Sequence, residues 1–264
     1  MSLQLEDLPS VGGLETSIKV MFVNPNSTVS MTMSCLKMIS SNLPPDTTVY
    51  GYTGPAGKTA VTIESHLDSV ISATECLRDA YPLLSQVHAV VVGCFSDHPL
   101  VNCIREEFDI PCCGIMEAAF YTARMLGGKF GVLCTGYRSQ IRHQYAVQGY
   151  GLDKFCAGLL STKLTVKELE TKPREEVLSL MANCAKQLVE QQDADCIVLG
   201  CAGMADMASA VEEALEGRSV PVIDGVCCAV NILSGFVRMG LKTSKRGLFT
   251  WAKPGRELRG QSYL

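Results

Sequence analysis

The chain has no block of Lys or Arg: 23 basic side chains stand against 27 acidic ones, for a formal net charge of -4. A cationic face for nucleic acid or an anionic membrane is therefore not expected as its main activity. Apolar stretches are about a strand long and end at Gly, Asn or Pro, short of the roughly 20 residues that cross a bilayer. The four histidines, His66, His88, His98 and His143, lie far apart without ligand spacing, and no Cys-x-x-Cys occurs, so no metal is expected. No Gly-x-Gly-x-x-Gly follows the first strand-like run, which argues against a dinucleotide. Gly54-Pro55-Ala56-Gly57-Lys58-Thr59 fails as a phosphate loop, because Tyr52 stands where the first glycine is required. Residues 1–17 hold Glu6, Asp7 and Glu15, no basic residue and no long apolar run, and read as a flexible lead-in rather than a signal peptide. The expectation is a cytoplasmic protein with a small neutral or weakly charged ligand, with metal, ATP and a dinucleotide disfavoured.

What is present fits a soluble globular protein: 264 residues, 47% hydrophobic and 19% charged. The thirteen cysteines are odd in number and follow no export signal, so thiols are expected rather than a disulfide framework. Most, including Cys112, Cys113, Cys227 and Cys228, read as small buried hydrophobes.

Short Val- and Ile-rich runs at 18–23, 87–92, 129–133, 196–199 and 220–223 alternate with helical stretches at 28–40, 63–81, 117–126, 173–191 and 226–239. Such alternation predicts parallel sheets covered by helices. In the fourth helix Pro173 suits a first-turn position, and Val177, Leu180, Met181, Cys184 and Leu188 follow one face.

The chain also repeats itself. Val90-Val91-Val92-Gly93-Cys94 returns as Ile197-Val198-Leu199-Gly200-Cys201, an offset of about 107 residues, and Ile110-Pro111 with Gly114-Ile115 returns about 110 residues on as Val220-Pro221 with Gly225-Val226. The strand ending at Asn24 matches the one ending at Cys134. Two similar parallel-sheet α/β domains are expected, related by a pseudo-two-fold axis, with the active site in the cleft between them. The first would comprise residues 18–115 with 226–264, the second residues 116–225.

Three kinds of loop carry candidate chemistry. Asn24-Pro25-Asn26-Ser27-Thr28 lies between a strand and a helix, where side chains and amides can hold a carboxylate or an enolate oxygen, or can simply form a capped turn. Cys134-Thr135-Gly136 holds the same place in the second half, and the same two readings apply. Cys94-Phe95-Ser96-Asp97 and Cys201-Ala202-Gly203-Met204 each put a cysteine at a strand end before a helix, where a thiol can act as base or acid. Inverting a carbon acid needs a base on one face and a proton donor on the other, so one cysteine per half suits that chemistry. His98, four residues beyond Cys94, reads as solvated or locally bonded rather than as its partner.

These residues resemble the hydantoin racemase family within the aspartate/glutamate racemase superfamily. The matching pieces, in family order from about residue 18 to 247, are Asn24-Pro25-Asn26-Ser27-Thr28, Gly54-Pro55-Ala56, Ile63-Glu64-Ser65, Gly93-Cys94-Phe95-Ser96-Asp97, Ile110-Pro111, Gly114-Ile115, Leu199-Gly200-Cys201-Ala202-Gly203-Met204 and Gly240-Leu241-Lys242-Thr243-Ser244-Lys245. The resemblance implies cofactor-free racemisation by Cys94 and Cys201, with Asn26, Ser96, Thr135 and the amides near Cys201 holding the substrate. The full expected binding set is Asn24, Pro25, Asn26, Phe95, Ser96, Cys134, Thr135, Ala202 and Gly203, and a homo-oligomer is expected. The chain departs from the family pattern at His98-Pro99, in an extra segment Gly57 to Thr62, and in its lead-in. The expected reaction is inversion of C5 in a 5-substituted hydantoin or allantoin. The alternatives are an aspartate/glutamate-type racemase, disfavoured by the apolar Cys-Phe-Ser and Cys-Ala-Gly surroundings, and a non-catalytic ligand-binding protein on the same scaffold.

Overall fold

Three apolar runs decide the architecture. In the computed structural model, which describes residues 3–13, 17–262 and 264, the runs Ala89–Val92, Phe130–Cys134 and Cys196–Leu199 are strands buried at every position. Burial on both faces is what central strands of a helix-covered parallel sheet require. The chain divides into two compact units: residues 1–94, 98–114 and 229–264 form one, and residues 95–97 and 115–228 form the other.

The first unit runs β1 (Ser10–Val11), β2 (Ile18–Asn24), α1 (Val29–Ser40), β3 (Thr47–Thr53), α2 (His66–Leu84), β4 (Ala89–Val92), α3 (Pro99–Glu107) and β5 (Cys112–Gly114). Its sheet has the order β1-β3-β2-β4-β5, parallel except for β1. Met21, Val23, Val90 and Val92 pack with Leu77, Leu83 and Leu84 of α2 and Leu100 and Ile104 of α3. A capping box starts α2, with the Asp68 amide donating to Ser65 Oγ (3.0 Å) and the Ser65 amide to Asp68 Oδ2 (2.8 Å).

The second unit runs α4 (Ile115–Leu126), β6 (Phe130–Cys134), α5 (Tyr137–Gly149), β7 (Cys156–Ser161), α6 (Val166–Thr171), α7 (Arg174–Gln192), β8 (Cys196–Leu199), α8 (Ala208–Ala214) and β9 (Val222–Ile223). Its sheet, wholly parallel, has the order β7-β6-β8-β9. The α7 stripe is Val177, Met181, Ala185 and Leu188, all fully buried; Leu180 and Cys184 flank it half-buried, and Pro173 stands one residue outside the helix. The remaining helices are α9 (Gly225–Arg238), through which the division between the units passes at residue 228, and α10 (Lys253–Leu258).

The sequence repeat is visible in the sheets. Strands β3-β2-β4-β5 and β7-β6-β8-β9 follow one order, each strand replaced by the one four places on. Matching hydrogen bonds recur: Gly93 N to Val23 O and Gly200 N to Leu133 O, both 2.8 Å, and Val90 N to Pro111 O (3.0 Å) and Ile197 N to Pro221 O (2.9 Å).

Part of the segment expected as a flexible lead-in has regular structure. Ser10 and Val11 pair antiparallel with Tyr50 and Val49 of β3, and Leu5, in a short 3-10 turn, is wholly buried in the unit's core. Residues 1, 2 and 14–16 of that segment lie outside the described ones. The closing Thr243 of the chain's last motif donates from its amide to Asp109 O (2.8 Å) and from its hydroxyl to Ile110 O (2.7 Å), tying the C-terminal arm to the approach to β5. A buried ion pair, Arg256 to Glu107, fastens α10 to the end of α3.

Candidate active site

In the first unit, β2 ends at Asn24, whose side chain is 1% exposed. Its Nδ2 donates to Asn26 Oδ1 (3.0 Å), Thr28 O (3.1 Å) and Thr32 Oγ1 (3.1 Å). Asn26 Oδ1 in turn accepts the Thr28 amide at 2.9 Å, and Asn24 Oδ1 accepts the Asn26 amide at 3.3 Å. The Ser27 amide donates to Ala60 O (2.9 Å), and Thr28 Oγ1 donates to Val61 O (2.8 Å). The amides of residues 26, 27 and 28 are thus all committed inside the unit, partly by the extra 57–62 segment. They form the self-satisfied turn that was one of the two readings of the motif, and the amides expected to hold an anion have protein acceptors instead. Among the described residues the acceptor of Asn26 Nδ2 is Met31 Sδ (3.2 Å), a weak one. Pro25 is buried, with its carbonyl 3.7 Å from Cys76 Sγ.

Beyond β4 the chain narrows at Gly93. A Cβ there would meet Phe22 Cζ at 2.3 Å, so the strand end admits only glycine. Cys94 follows, half-buried. His98 is buried rather than solvated: Nδ1 accepts the Leu100 amide (3.3 Å) and caps α3, while Nε2 lies 3.2 Å from Ser72 Oγ.

In the second unit, Gly200 plays the part of Gly93. A Cβ there would lie 2.3 Å from Leu133 O, the acceptor of its own amide. Cys201, half-buried, leads into a 3-10 helix (Ala202–Met207), and the Gly203 amide donates to its sulfur at 3.4 Å. Ala202 and Gly203 are half-buried beside it.

Cys134, at the end of β6, takes the place of Asn24 and is likewise turned inward, wholly buried. Its Sγ lies 3.3 Å from His143 Nδ1, and burial pushes the thiol far above the ordinary range. Thr135 is 5% exposed; its carbonyl accepts the Lys163 amide (3.1 Å) and the Ser161 and Thr162 hydroxyls. Phe95 belongs to this unit's core: its ring meets Phe120 edge-on at 5.6 Å and His143 at 5.0 Å, and its carbonyl accepts His143 Nε2–H at 2.9 Å. Ser96 is half-buried.

The side chains of Asn24, Phe95 and Cys134, all counted in the expected binding set, are therefore engaged inside their own units, where they shape the loops carrying Asn26, Cys94 and Thr135. His143 was missed. Its signal is that His143 and Val147, one turn apart, are the buried residues of an otherwise polar helix. Among the described residues no group of three or more His, Cys, Asp or Glu is arranged to hold a metal ion, and no helix is long and apolar enough to cross a membrane.

The chain matches the family model for Asp/Glu/Hydantoin racemase over residues 20–233. It is 32% identical over 229 residues to a hydantoin racemase of a Pseudomonas species, covering 86% of this chain and 89% of that one. Its structure is similar to that of an allantoin racemase from Pseudomonas fluorescens, with a TM-score of 0.82 at 27% identity over 90% of this chain and 98% of that one. It is similar also to an allantoin racemase from Klebsiella pneumoniae, with a TM-score of 0.80 at 31% identity over 89% and 94%. This chain belongs to the Asp/Glu/hydantoin racemase family and is an isomerase of that family.

Proposed function

We propose that this protein is a cofactor-independent cytoplasmic racemase that inverts C5 of a hydantoin-type ring, a 5-substituted hydantoin or allantoin, with Cys94 and Cys201 as paired acid and base on opposite faces of that carbon. The carrying observation is the recurrence of one strand-end construction. A glycine that tolerates no Cβ, its amide bonded to the neighbouring strand, is followed by a half-buried cysteine after β4 and again after β8. A duplicated fold that keeps the same nucleophilic side chain at the same place in both halves has the two proton-transfer groups that inversion requires.

One thiolate takes the C5 proton, giving an enolate whose charge spreads onto the adjacent carbonyl oxygen. The other thiol delivers a proton to the opposite face, and the enzyme is left with the protonation states exchanged, ready for the other enantiomer. The ring carbonyl and amide make this proton more acidic than the α proton of an amino-acid zwitterion. Asn26 Nδ2 is suited to donate to the developing oxyanion. The relatives named hydantoin racemase and allantoin racemase support this choice of substrate.

The test is chiral chromatography of enantiopure allantoin and several 5-substituted hydantoins with purified protein and no added cofactor. Approach to a racemate from both enantiomers is expected. Inversion of aspartate or glutamate with inert hydantoins would move the enzyme to the amino-acid class, and saturable binding without inversion of any of them would make it a binding protein.

A further inference from the structure

The turn after β4 depends on one buried imidazole that the reaction itself does not use. The Phe95 carbonyl can only accept, so the hydrogen of His143 lies on Nε2, 2.9 Å away, with Ser139 Oγ 3.2 Å from the same nitrogen. Nδ1 is then unprotonated, and it faces Cys134 Sγ at 3.3 Å, where the thiol donates. Burial holds both groups neutral, lowering the His143 pKa to about 4 and raising that of Cys134, so one tautomer is fixed at neutral pH. The Phe95 ring is held as well: His143 flanks it, Phe120 meets it edge-on, and Phe120 stacks on Phe130 of β6 at 5.3 Å. Both the carbonyl and the ring of the residue that follows Cys94 are fixed through this cluster.

We propose that His143 is a positioning residue for Cys94, holding Phe95, the residue bonded to it, through its Nε2–H bond to the carbonyl of the Phe95-Ser96 peptide and its ring contact with Phe95. The inference rests on the reading of Cys94 as one of the two acid/base groups. It is specific to that cysteine. In the internal repeat Phe95 corresponds to Ala202 and His143 to Met33, a side chain with no hydrogen to donate, and the sulfur of Cys201 receives the Gly203 amide. A loss at His143 should therefore act on one face of the substrate only.

The experiment compares His143→Leu, which removes the donor, with His143→Gln, whose amide nitrogen reaches about as far as Nε2. The first readout is exchange of the C5 proton with solvent deuterium for each hydantoin enantiomer. In His143→Leu the rate should fall at least tenfold for the enantiomer that Cys94→Ser also fails to exchange, and less than threefold for the other. His143→Gln should return to within threefold of the unsubstituted protein. Equal losses for both enantiomers in folded protein, or no loss for either, would overturn the proposal.

The second readout needs no turnover. The ratio of Cys94 to Cys201 alkylation by iodoacetamide, measured on the two peptides by mass spectrometry, should change at least fivefold in His143→Leu and revert in His143→Gln. An unchanged ratio overturns the proposal whether or not the protein racemises hydantoins. A protein inert toward every hydantoin in which the ratio nonetheless shifts would refute the substrate assignment alone. If His143→Leu does not fold, His143→Gln and His143→Asn take its place. Asn is too short to reach the Phe95 carbonyl from this position, and equal Cys94 to Cys201 ratios in the two would refute the role of the bond.

Discussion

His143 gives a stability experiment whose size follows from its surroundings. Buried between Phe95, Cys134 and the polar start of α5, it has a pKa lowered to about 4 from the ordinary 6.5, chiefly because burial disfavours the imidazolium and secondarily against the pull of its bond to the Phe95 carbonyl. Well above pH 6.5 the folded and unfolded chains both carry this histidine neutral, so it has no effect on the slope of stability with pH. As the pH falls through 6.5 the unfolded chain takes up a proton that the folded chain refuses, and the equilibrium moves toward unfolding. The gap between 6.5 and about 4, at about 1.4 kcal/mol per unit, gives a loss that grows as the pH falls, reaches about 3 kcal/mol near pH 4 and levels off below it. Against a typical total of roughly 5–15 kcal/mol that is a large share. The assay is urea unfolding at a series of pH values for the natural protein and for His143→Gln. Subtracting the two curves removes every other titrating group, and the difference should slope between pH 6.5 and 4 and lie flat above pH 7. Parallel curves across that range would show that His143 takes its proton equally well in both states, and the account of a neutral, tautomer-fixed imidazole would be wrong.

Other outcomes follow from the same geometry. Cys94→Ser and Cys201→Ser should each fold and lose racemisation, while each still exchanges the C5 proton of one enantiomer, opposite in the two, with solvent deuterium by NMR; retained racemisation in either excludes that cysteine as an essential acid/base. Gly200→Ala should destabilise by about 1–3 kcal/mol in urea titration, because its Cβ would press on the Leu133 carbonyl oxygen, which belongs to backbone and cannot swing aside. Glu107→Ala, which strands the buried Arg256 guanidinium, should cost roughly 3–5 kcal/mol by the same measurement; a loss under 1 kcal/mol would show that the α10 arm contributes little to the stability of its unit.

The central strands were legible in the sequence because parallel strands buried on both faces must be continuously apolar, as Val90-Val91-Val92 and Cys196-Ile197-Val198-Leu199 are. The repeat was legible because Gly-Cys at a strand end is rigidly specified on both occasions, by Phe22 and by Leu133. Strand β7 was not, because Cys156-Ala157-Gly158-Leu159-Leu160-Ser161 is half-buried throughout at a sheet edge and shows neither alternation nor a full apolar run. Strands β1 and β5, two and three residues long, are set by their neighbours and leave no periodicity to read. At the candidate site, the residue types could be placed after their strands, but not the direction in which a side chain turns. Asn24 and Cys134 look available to a ligand on paper and are buried, and the partners of His143 are 9 and 48 residues away along the chain.

The inward turn of Asn24 and Cys134 also means that the two halves are not interchangeable at these positions. Two of the three acceptors of the Asn24 amide are side chains, Asn26 and Thr32; at the repeat-related positions 136 and 142 the chain has Gly and Arg. An asparagine placed at 134 would be an amide without those acceptors, and a cysteine at 24 would leave Asn26 and Thr32 short of a donor. Each half thus anchors its strand end through its own set of partners, and exchanging the two residues singly, Asn24→Cys or Cys134→Asn, should destabilise the unit that receives the change.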